Sequence, residues 1–338
     1  DFDKVPVIDL TDLRSPCLDA RRALAREVHD ACLQVGFFYI TNHGIPQATV
    51  AAIHDIARQF FALPEDRKMQ YSIAKSQKFR GFMPLYAEQM IGHELDESGS
   101  QTTSTPGAYS ESFDVGYEIA ADPRREPHDP LPPDHFDLYG DNQWPTEDDL
   151  PGFRQTYLEY FAEALTLCRS LMRIFALALD LPEEFFDPIM EHPGATSRML
   201  HYPPQSVNDT FKIGLGAHTD YECITIPSQD LVPALQVRNS SDEWITVEPL
   251  PNTLVVNIAD CLSMWTNAKF KSTVHRVINI TGEERYTIPF FFGVDYNTNV
   301  SVLPTCTSED NPPRHKPFKA GEVSRNSIAL PVYSVQYS

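Results

Sequence analysis

Three short stretches in the second half of the chain decide the fold: LVVNI (254–258), TVHRVINI (273–280) and YTIPFFF (286–292). Each is rich in Val, Ile, Thr or Phe, and residues between them include Gly, Asn and Asp, which is the pattern of strands joined by turns. The pattern begins near Ser197 and continues from there. Many short strands with frequent turns are typical of a β-sandwich or barrel, so a mainly β fold is predicted for this half.

The first 196 residues instead combine strand-like and helix-like segments. The helical spacing of apolar residues is seen in 24–35, 50–60 and 153–179, and the strand-like segments are 5–10 and 37–40. Because these two strands need a sheet to join, we expect one domain spanning 1–338. In it, a helix-rich N-terminal region (1–196), which includes the long central helix, contributes strands, and a jelly-roll-like β core occupies 197–338.

Composition and charge narrow the partners and the setting. The 338 residues are 42% hydrophobic, enough for a large core, and the formal net charge is -20. Nucleic acid and anionic membranes repel an acidic protein, so we expect neither as a partner. No apolar run approaches the roughly 18 residues of a membrane span, and no signal peptide is visible. The six cysteines include no CxxC pair, which predicts free thiols in a cytoplasmic protein.

A metal site is predicted from two strand-like segments. His218 and Asp220 stand two residues apart, so on a strand they share one face. His275 lies in a second such segment. Two histidines and one carboxylate on one side of a metal leave positions open, as non-haem Fe(II) oxygenases require. A second H-x-D, His135 and Asp137, lies in a proline-rich stretch where no strand aligns it, so we expect it to be uninvolved.

A candidate carboxylate site follows ten residues after the second histidine. Arg285 and Thr287 share one strand face, and together they offer a charge-assisted fork and a hydroxyl donor. A structural salt bridge with an acidic residue is the alternative. Beside a metal triad, the distal carboxylate of 2-oxoglutarate is the better partner.

These motifs, in this order, resemble one family. The segments that carry the resemblance are VPVIDL (5–10), GFFYI (36–40), NHGI (42–45), HYPP (201–204), HTD (218–220), WTN (265–267) and KSTVHRV (271–277). Together they resemble the isopenicillin N synthase-like group of Fe(II)- and 2-oxoglutarate-dependent dioxygenases over nearly the whole chain.

The resemblance implies a distorted jelly roll, or double-stranded β-helix, flanked by helices. It implies that His218, Asp220 and His275 bind Fe(II) and that Arg285 and Thr287 bind the co-substrate. The implied reaction oxidises a small-molecule metabolite with O₂, by hydroxylation, desaturation or related C–H oxidation, and releases succinate and CO₂. Retention of the carboxylate argues against halogenation.

Three positions qualify the resemblance. Tyr202 matches a family tyrosine that lies near the co-substrate, but Leu200 stands where the family has Asn. Thr287 replaces the usual Ser and keeps the hydroxyl. Two rivals stay open: an Fe(II) oxidase without 2-oxoglutarate, in which Gln336 occupies the metal, and a non-catalytic jelly-roll binding protein.

Substrate is expected to be enclosed by a lid, because the open metal positions need a cavity that excludes water. The polar stretch HELDESGSQTTSTPGAYS (93–110) has little regular pattern, as a lid would. The predicted substrate-binding residues are Phe79, Arg80, Phe82, Tyr109, Phe113 and Phe292. Strict alternation from Arg285 places Phe292 on the opposite face, unless Pro289 breaks it.

Overall fold

The computed structural model describes residues 2–88, 107–126, 128–205 and 212–325. The helices are α1 (Leu18–Gln34), α2 (Gln47–Phe61), α3 (Glu65–Lys68), α4 (Phe153–Ala178) and α5 (Asp260–Trp265). The strands are β1 (Val7–Asp9), β2 (Phe37–Thr41), β3 (Gly81–Met83), β4 (Glu111–Gly116), β5 (Ala195–Tyr202), β6 (Leu215–His218), β7 (Ile224–Gln229), β8 (Leu235–Arg238), β9 (Trp244–Thr246), β10 (Leu254–Ile258), β11 (His275–Val277), β12 (Arg285–Phe292), β13 (Asn299–Val300) and β14 (Phe318–Lys319).

Two of the three sheets in the described ranges contain most of the strands, and the third pairs β13 with β14. The larger has the order β1-β2-β10-β7-β12-β5-β4-β3, and the smaller has the order β6-β11-β8-β9. Strands from the N-terminal region therefore share one sheet with strands of the C-terminal region. A small apolar cluster fills part of the space between the sheets, where Phe37 and Tyr202 of the large sheet meet Val237 and Val277 of the small one.

The main core lies between the large sheet and the helices. The predicted stripe on α4 is buried there, because Phe153, Tyr157 and Phe161 recur at helical spacing and face the sheet and α2. Phe161 contacts Phe290 of β12, with ring centroids 4.8 Å apart. The helices thus support the back of the strand that carries Arg285.

The structure differs from the sequence analysis around residue 113. The proline-rich and polar segments on either side of it were predicted to be irregular, but β4 runs between them and pairs with β3 and β5. All six cysteines are free thiols, as predicted. Among the helices of the described ranges, none has the length and apolar character that crossing a membrane requires.

Candidate active site

The strand register brings the three predicted metal ligands together. His218 of β6 pairs with His275 of β11, and their ring centroids are 4.2 Å apart. Oδ1 of Asp220 lies 3.6 Å from Nε2 of His218 and 3.7 Å from Nε2 of His275. One donor atom from each residue lies within 4.8 Å of the others, which is a spacing that one metal ion can bridge.

Each ligand is held by its second polar atom. Nδ1 of His218 is 2.8 Å from the carbonyl of Gly216, and Nδ1 of His275 is 3.1 Å from that of Thr273, so both Nε2 atoms face the site. Oδ2 of Asp220 accepts hydrogen bonds from two further side chains. These are the hydroxyl of Thr225 at 2.5 Å and the amide of Asn257 at 2.8 Å. Oδ1 stays available to a metal.

The electrostatics suit metal binding. Burial lowers the pKa of His275 to about 4, and the neighbouring His218 adds to the effect, so the imidazole is neutral. Burial alone would raise the pKa of Asp220, but the charge that the two imidazoles carry when protonated and the hydrogen bonds from Thr225 and Asn257 hold it below its ordinary value. A neutral imidazole and an ionised carboxylate are the forms that coordinate a divalent ion. The residues present therefore fit the Fe(II) that the sequence predicts.

A buried guanidinium, that of Arg285, lies near the triad. Arg285 is 2% exposed, and among the described residues its Nε and Nη1 have no hydrogen-bond partner. Nη2 donates to Gln229 at 3.3 Å, and the guanidinium lies 5.0 Å from the ring centre of Tyr202. No carboxylate of the described ranges forms an ion pair with it, so the structural salt bridge is not found. Thr287, on the same strand face, donates to the carbonyl of Ser228 at 3.1 Å.

The triad and Arg285 open into one cavity of about 390 Å³ between the two sheets. Thr287, Tyr202 and the ligand side chains line it, together with apolar residues of both sheets. Its volume falls in the range of small-molecule sites.

Two known protein families match this chain. Residues 5–147 match the family described as non-haem dioxygenase in morphine synthesis N-terminal, and residues 193–294 match the 2OG-Fe(II) oxygenase superfamily. The 2-oxoglutarate-Fe(II) type oxidoreductase hxnY of Emericella nidulans is 35% identical over 326 residues, which cover 95% of this chain and 88% of that protein. The chain belongs to the 2OG-Fe(II) oxygenase superfamily.

Two further relatives agree with this assignment. The homoarginine-6-hydroxylase 2-ODD-C23 of Glycine max is 33% identical, with coverage of 94% of this chain and 93% of that protein. A full-length Neurospora crassa protein, solved in complex with alpha-KG and thymine, is 25% identical, with a TM-score of 0.80 and coverage of 96% of each chain. The jelly-roll fold, the enzyme class and the cofactors Fe(II), 2-oxoglutarate and O₂ are confirmed. The protein is a 2-oxoglutarate-dependent oxygenase of small molecules, so neither of the two rival hypotheses is retained.

Some of the predicted substrate residues line the cavity and others lie in the core. Phe79 and Arg80 line the cavity. Phe82, Phe113 and Phe292 do not line it; each is 0% exposed and packs in the main core. They were predicted to line the chamber. That prediction is wrong, because each occupies the strand face that is turned toward the helices.

The alternation of side chains along β12 explains why Phe292 does not line the cavity. Arg285, Thr287, Pro289 and Phe291 line the cavity, while the intervening residues pack in the core. Pro289 does not break the alternation, so Phe292 points away and Phe291 takes its place. The sequence already contained this information, because every second residue after Arg285 lies on the same strand face, and Phe291 is one of them.

The remaining predictions lie at the edge of the site or outside the described residues. Tyr109 is half-buried beside Tyr86 and is not among the cavity-lining residues. His135 and Asp137 are exposed, and Asp137 pairs with Lys78. Gln336 and most of the predicted lid, 93–110, lie outside the described residues.

The residues that support the ligands were not predicted from the sequence. Thr225, Asn257 and Gln229 contact Asp220 or Arg285 but stand in unremarkable strand positions. Only the pairing of β7 with β10 and β12 brings them to the site. No local spacing in the sequence encodes that pairing.

Proposed function

We propose that His218, Asp220 and His275 hold the Fe(II) of this oxygenase, and that Arg285 and Thr287 hold the distal carboxylate of 2-oxoglutarate. Bound iron and co-substrate supply the chemistry that activates O₂. The chain's own groups orient them: Thr225 and Asn257 fix Asp220, and the guanidinium of Arg285, whose Nη1 has no partner in the described ranges, offers N–H donors to a carboxylate. We also propose that residues 1–338 form one domain, since strands of both regions share a sheet.

One observation carries the co-substrate assignment. A buried guanidinium is unfavourable without a partner. Arg285 lies on the wall of the cavity that contains the triad, and two of its nitrogens have no partner in the part of the chain that the structure describes. A dicarboxylate that reached the metal with one end would present its other carboxylate to such a wall. The guanidinium lies over the ring of Tyr202, 5.0 Å from its centre.

Substrate is proposed to bind in the rest of the cavity, against Phe79, Met83, Leu200 and Phe291. This space is apolar near Phe291 and charged near Arg80. Relatives that bind thymine or hydroxylate homoarginine, by their names, support a small polar substrate rather than a macromolecule.

Succinate formation from 2-oxoglutarate tests the proposal. The purified chain with Fe(II), 2-oxoglutarate and O₂ should form succinate slowly without substrate, and Arg285→Ala should require much more 2-oxoglutarate for the same rate. Lys78→Ala, which removes a charge at the surface, is the control. O₂ consumption without succinate, or an unchanged requirement in Arg285→Ala, would contradict the proposal.

A further inference from the structure

A charged wall of the cavity is used by neither the metal nor the co-substrate. Arg198 of β5 and Asp114 of β4 are paired residues on adjacent antiparallel strands, and both line the cavity. Glu88 and Arg80 complete the wall. Burying charged side chains costs free energy unless they are paired. The hydrogen-bonding atoms that stay unpaired on this wall are therefore the ones available to a ligand.

Two carboxylates share one guanidinium on this wall. Nε of Arg198 donates to Oδ1 of Asp114 at 2.6 Å, and Nη1 donates to Oε1 of Glu88 at 2.8 Å. The exposed fractions of the side chains are 21% for Arg198, 11% for Asp114 and 16% for Glu88. Within the described ranges, Nη2 of Arg198 and Oε2 of Glu88 have no further partner. The wall therefore offers one donor and one charged acceptor side by side.

Arg80 forms no ion pair with either carboxylate of the wall. Its Nη1 and Nη2 donate to the carbonyls of Phe79 and Leu138, both at 3.3 Å, and its guanidinium lies against Gly116. Its positive charge acts on Asp114 at longer range. Glu88 is therefore the carboxylate that keeps an oxygen for a ligand.

We propose that Glu88, Asp114 and Arg198 form the substrate-recognition wall, and that the substrate presents an N–H donor of an amine, amidine or amide to Glu88. An acceptor atom next to that nitrogen would meet Nη2 of Arg198. A carboxylate group would instead face two carboxylates, and like charges across an interface are strongly unfavourable. This inference rests on the proposed function and names the substrate class of the same cavity.

Three probes that share a phenyl ring test the class: benzamidine, benzamide and benzoate. Their affinities are measured by ligand-observed NMR on the full chain loaded with Zn(II) and 2-oxoglutarate. Benzamidine and benzamide should each bind at least about tenfold more tightly than benzoate. Glu88→Gln keeps the shape of the side chain and removes its charge, so it should reduce the preference for benzamidine over benzoate to within about threefold.

Matched controls separate the outcomes. Glu283→Gln makes the same change at an exposed position and should keep the wild-type preference. If Glu88→Gln is destabilised, Asp114→Asn removes the second carboxylate that benzoate would face and should weaken the discrimination against benzoate. Equal or tighter binding of benzoate, no binding of any probe, or a preference unaffected by either wall variant overturns the inference. Binding of 2-oxoglutarate, followed in the same samples, distinguishes this result from failure of the proposed function.

Discussion

His218 and His275 lie directly opposite each other on two antiparallel strands, so one register sets the distance between both imidazoles. Asp220 follows two residues later, just after β6 ends. A shift of one residue in β11 would turn His275 to the other face. Phe37, whose ring centroid is 5.3 Å from that of His275, packs against the imidazole edge and helps to fix its position.

Asp220→Ala should abolish tight Fe(II) binding and succinate formation. The variant removes one of three ligands and leaves the hydroxyl of Thr225 and the amide of Asn257 without their acceptor. Fe(II) affinity is measured by anaerobic titration, and folding by thermal unfolding. His135→Ala, in the exposed H-x-D copy, should bind Fe(II) normally. Equal loss in both variants would argue against the assignment.

Arg285→Ala should weaken 2-oxoglutarate binding by at least roughly thirtyfold, since loss of one partner from a buried charged pair costs about 2–5 kcal/mol. Thr287→Ser keeps the hydroxyl and should be nearly silent, whereas Thr287→Val should be harmful. Calorimetric titration of 2-oxoglutarate into the Mn(II)-loaded protein measures all three. An Arg285→Ala variant with wild-type affinity would remove the basis of the co-substrate site.

Adjacent phenylalanines on β12 should respond differently to truncation. Phe292 is 0% exposed in the core, so Phe292→Ala should lower the free energy of unfolding by about 3–5 kcal/mol. Phe291 is only partly buried and faces the cavity, so Phe291→Ala should cost less than about 2 kcal/mol. Urea unfolding of the two variants measures the difference. Similar losses would show that the two faces of β12 are not distinct.

Stability should fall in acid partly through His54. Burial lowers the pKa of this imidazole to about 4, below the ordinary 6.5, and Nε2 lies 2.9 Å from the hydroxyl of Ser228. Between these two pKa values, the imidazole of the unfolded chain is protonated, whereas that of the folded chain stays neutral. The contribution is complete above pH 6.5 and is lost as the pH falls toward 4. At about 1.4 kcal/mol per pKa unit, the loss reaches roughly 3 kcal/mol.

The pH series is measured by urea unfolding from about pH 4 to about pH 7, the interval that brackets both pKa values. His54→Gln should show a shallower decline than the wild type because it removes the titrating group. His128→Gln, at an exposed position, should keep the wild-type slope. Parallel curves for the wild type and His54→Gln would show that His54 does not titrate as described.

Local patterns in the sequence were sufficient for the ligands and the long helix. Residues two apart on a strand share a face wherever the strand lies, so Arg285 with Thr287 could be predicted without knowing the fold. Asp220 lies beside His218 as predicted, but it stands just beyond the end of β6 and not on the strand that the prediction assumed. The stripe on α4 is likewise a local property of helical spacing.

The pairing of distant strands could not be predicted in this way. Arg198 and Asp114 meet only because β5 pairs with β4, and β4 lies between segments that have no regular pattern. The pairings of β4 with β3 and with β5 turn Phe82 and Phe113 toward the helices, where they are buried. In the sequence these two residues stand next to polar segments and were therefore predicted to line the chamber. Burial on one face or the other is decided by the neighbouring strand and not by residue type.

Anomalous diffraction at the iron edge, from crystals grown anaerobically with Fe(II) and 2-oxoglutarate, tests the central claim most directly. We expect a single iron peak between Nε2 of His218, Nε2 of His275 and Oδ1 of Asp220. We also expect the distal carboxylate of 2-oxoglutarate at the guanidinium of Arg285. Iron bound elsewhere, or 2-oxoglutarate held away from Arg285, would contradict the account.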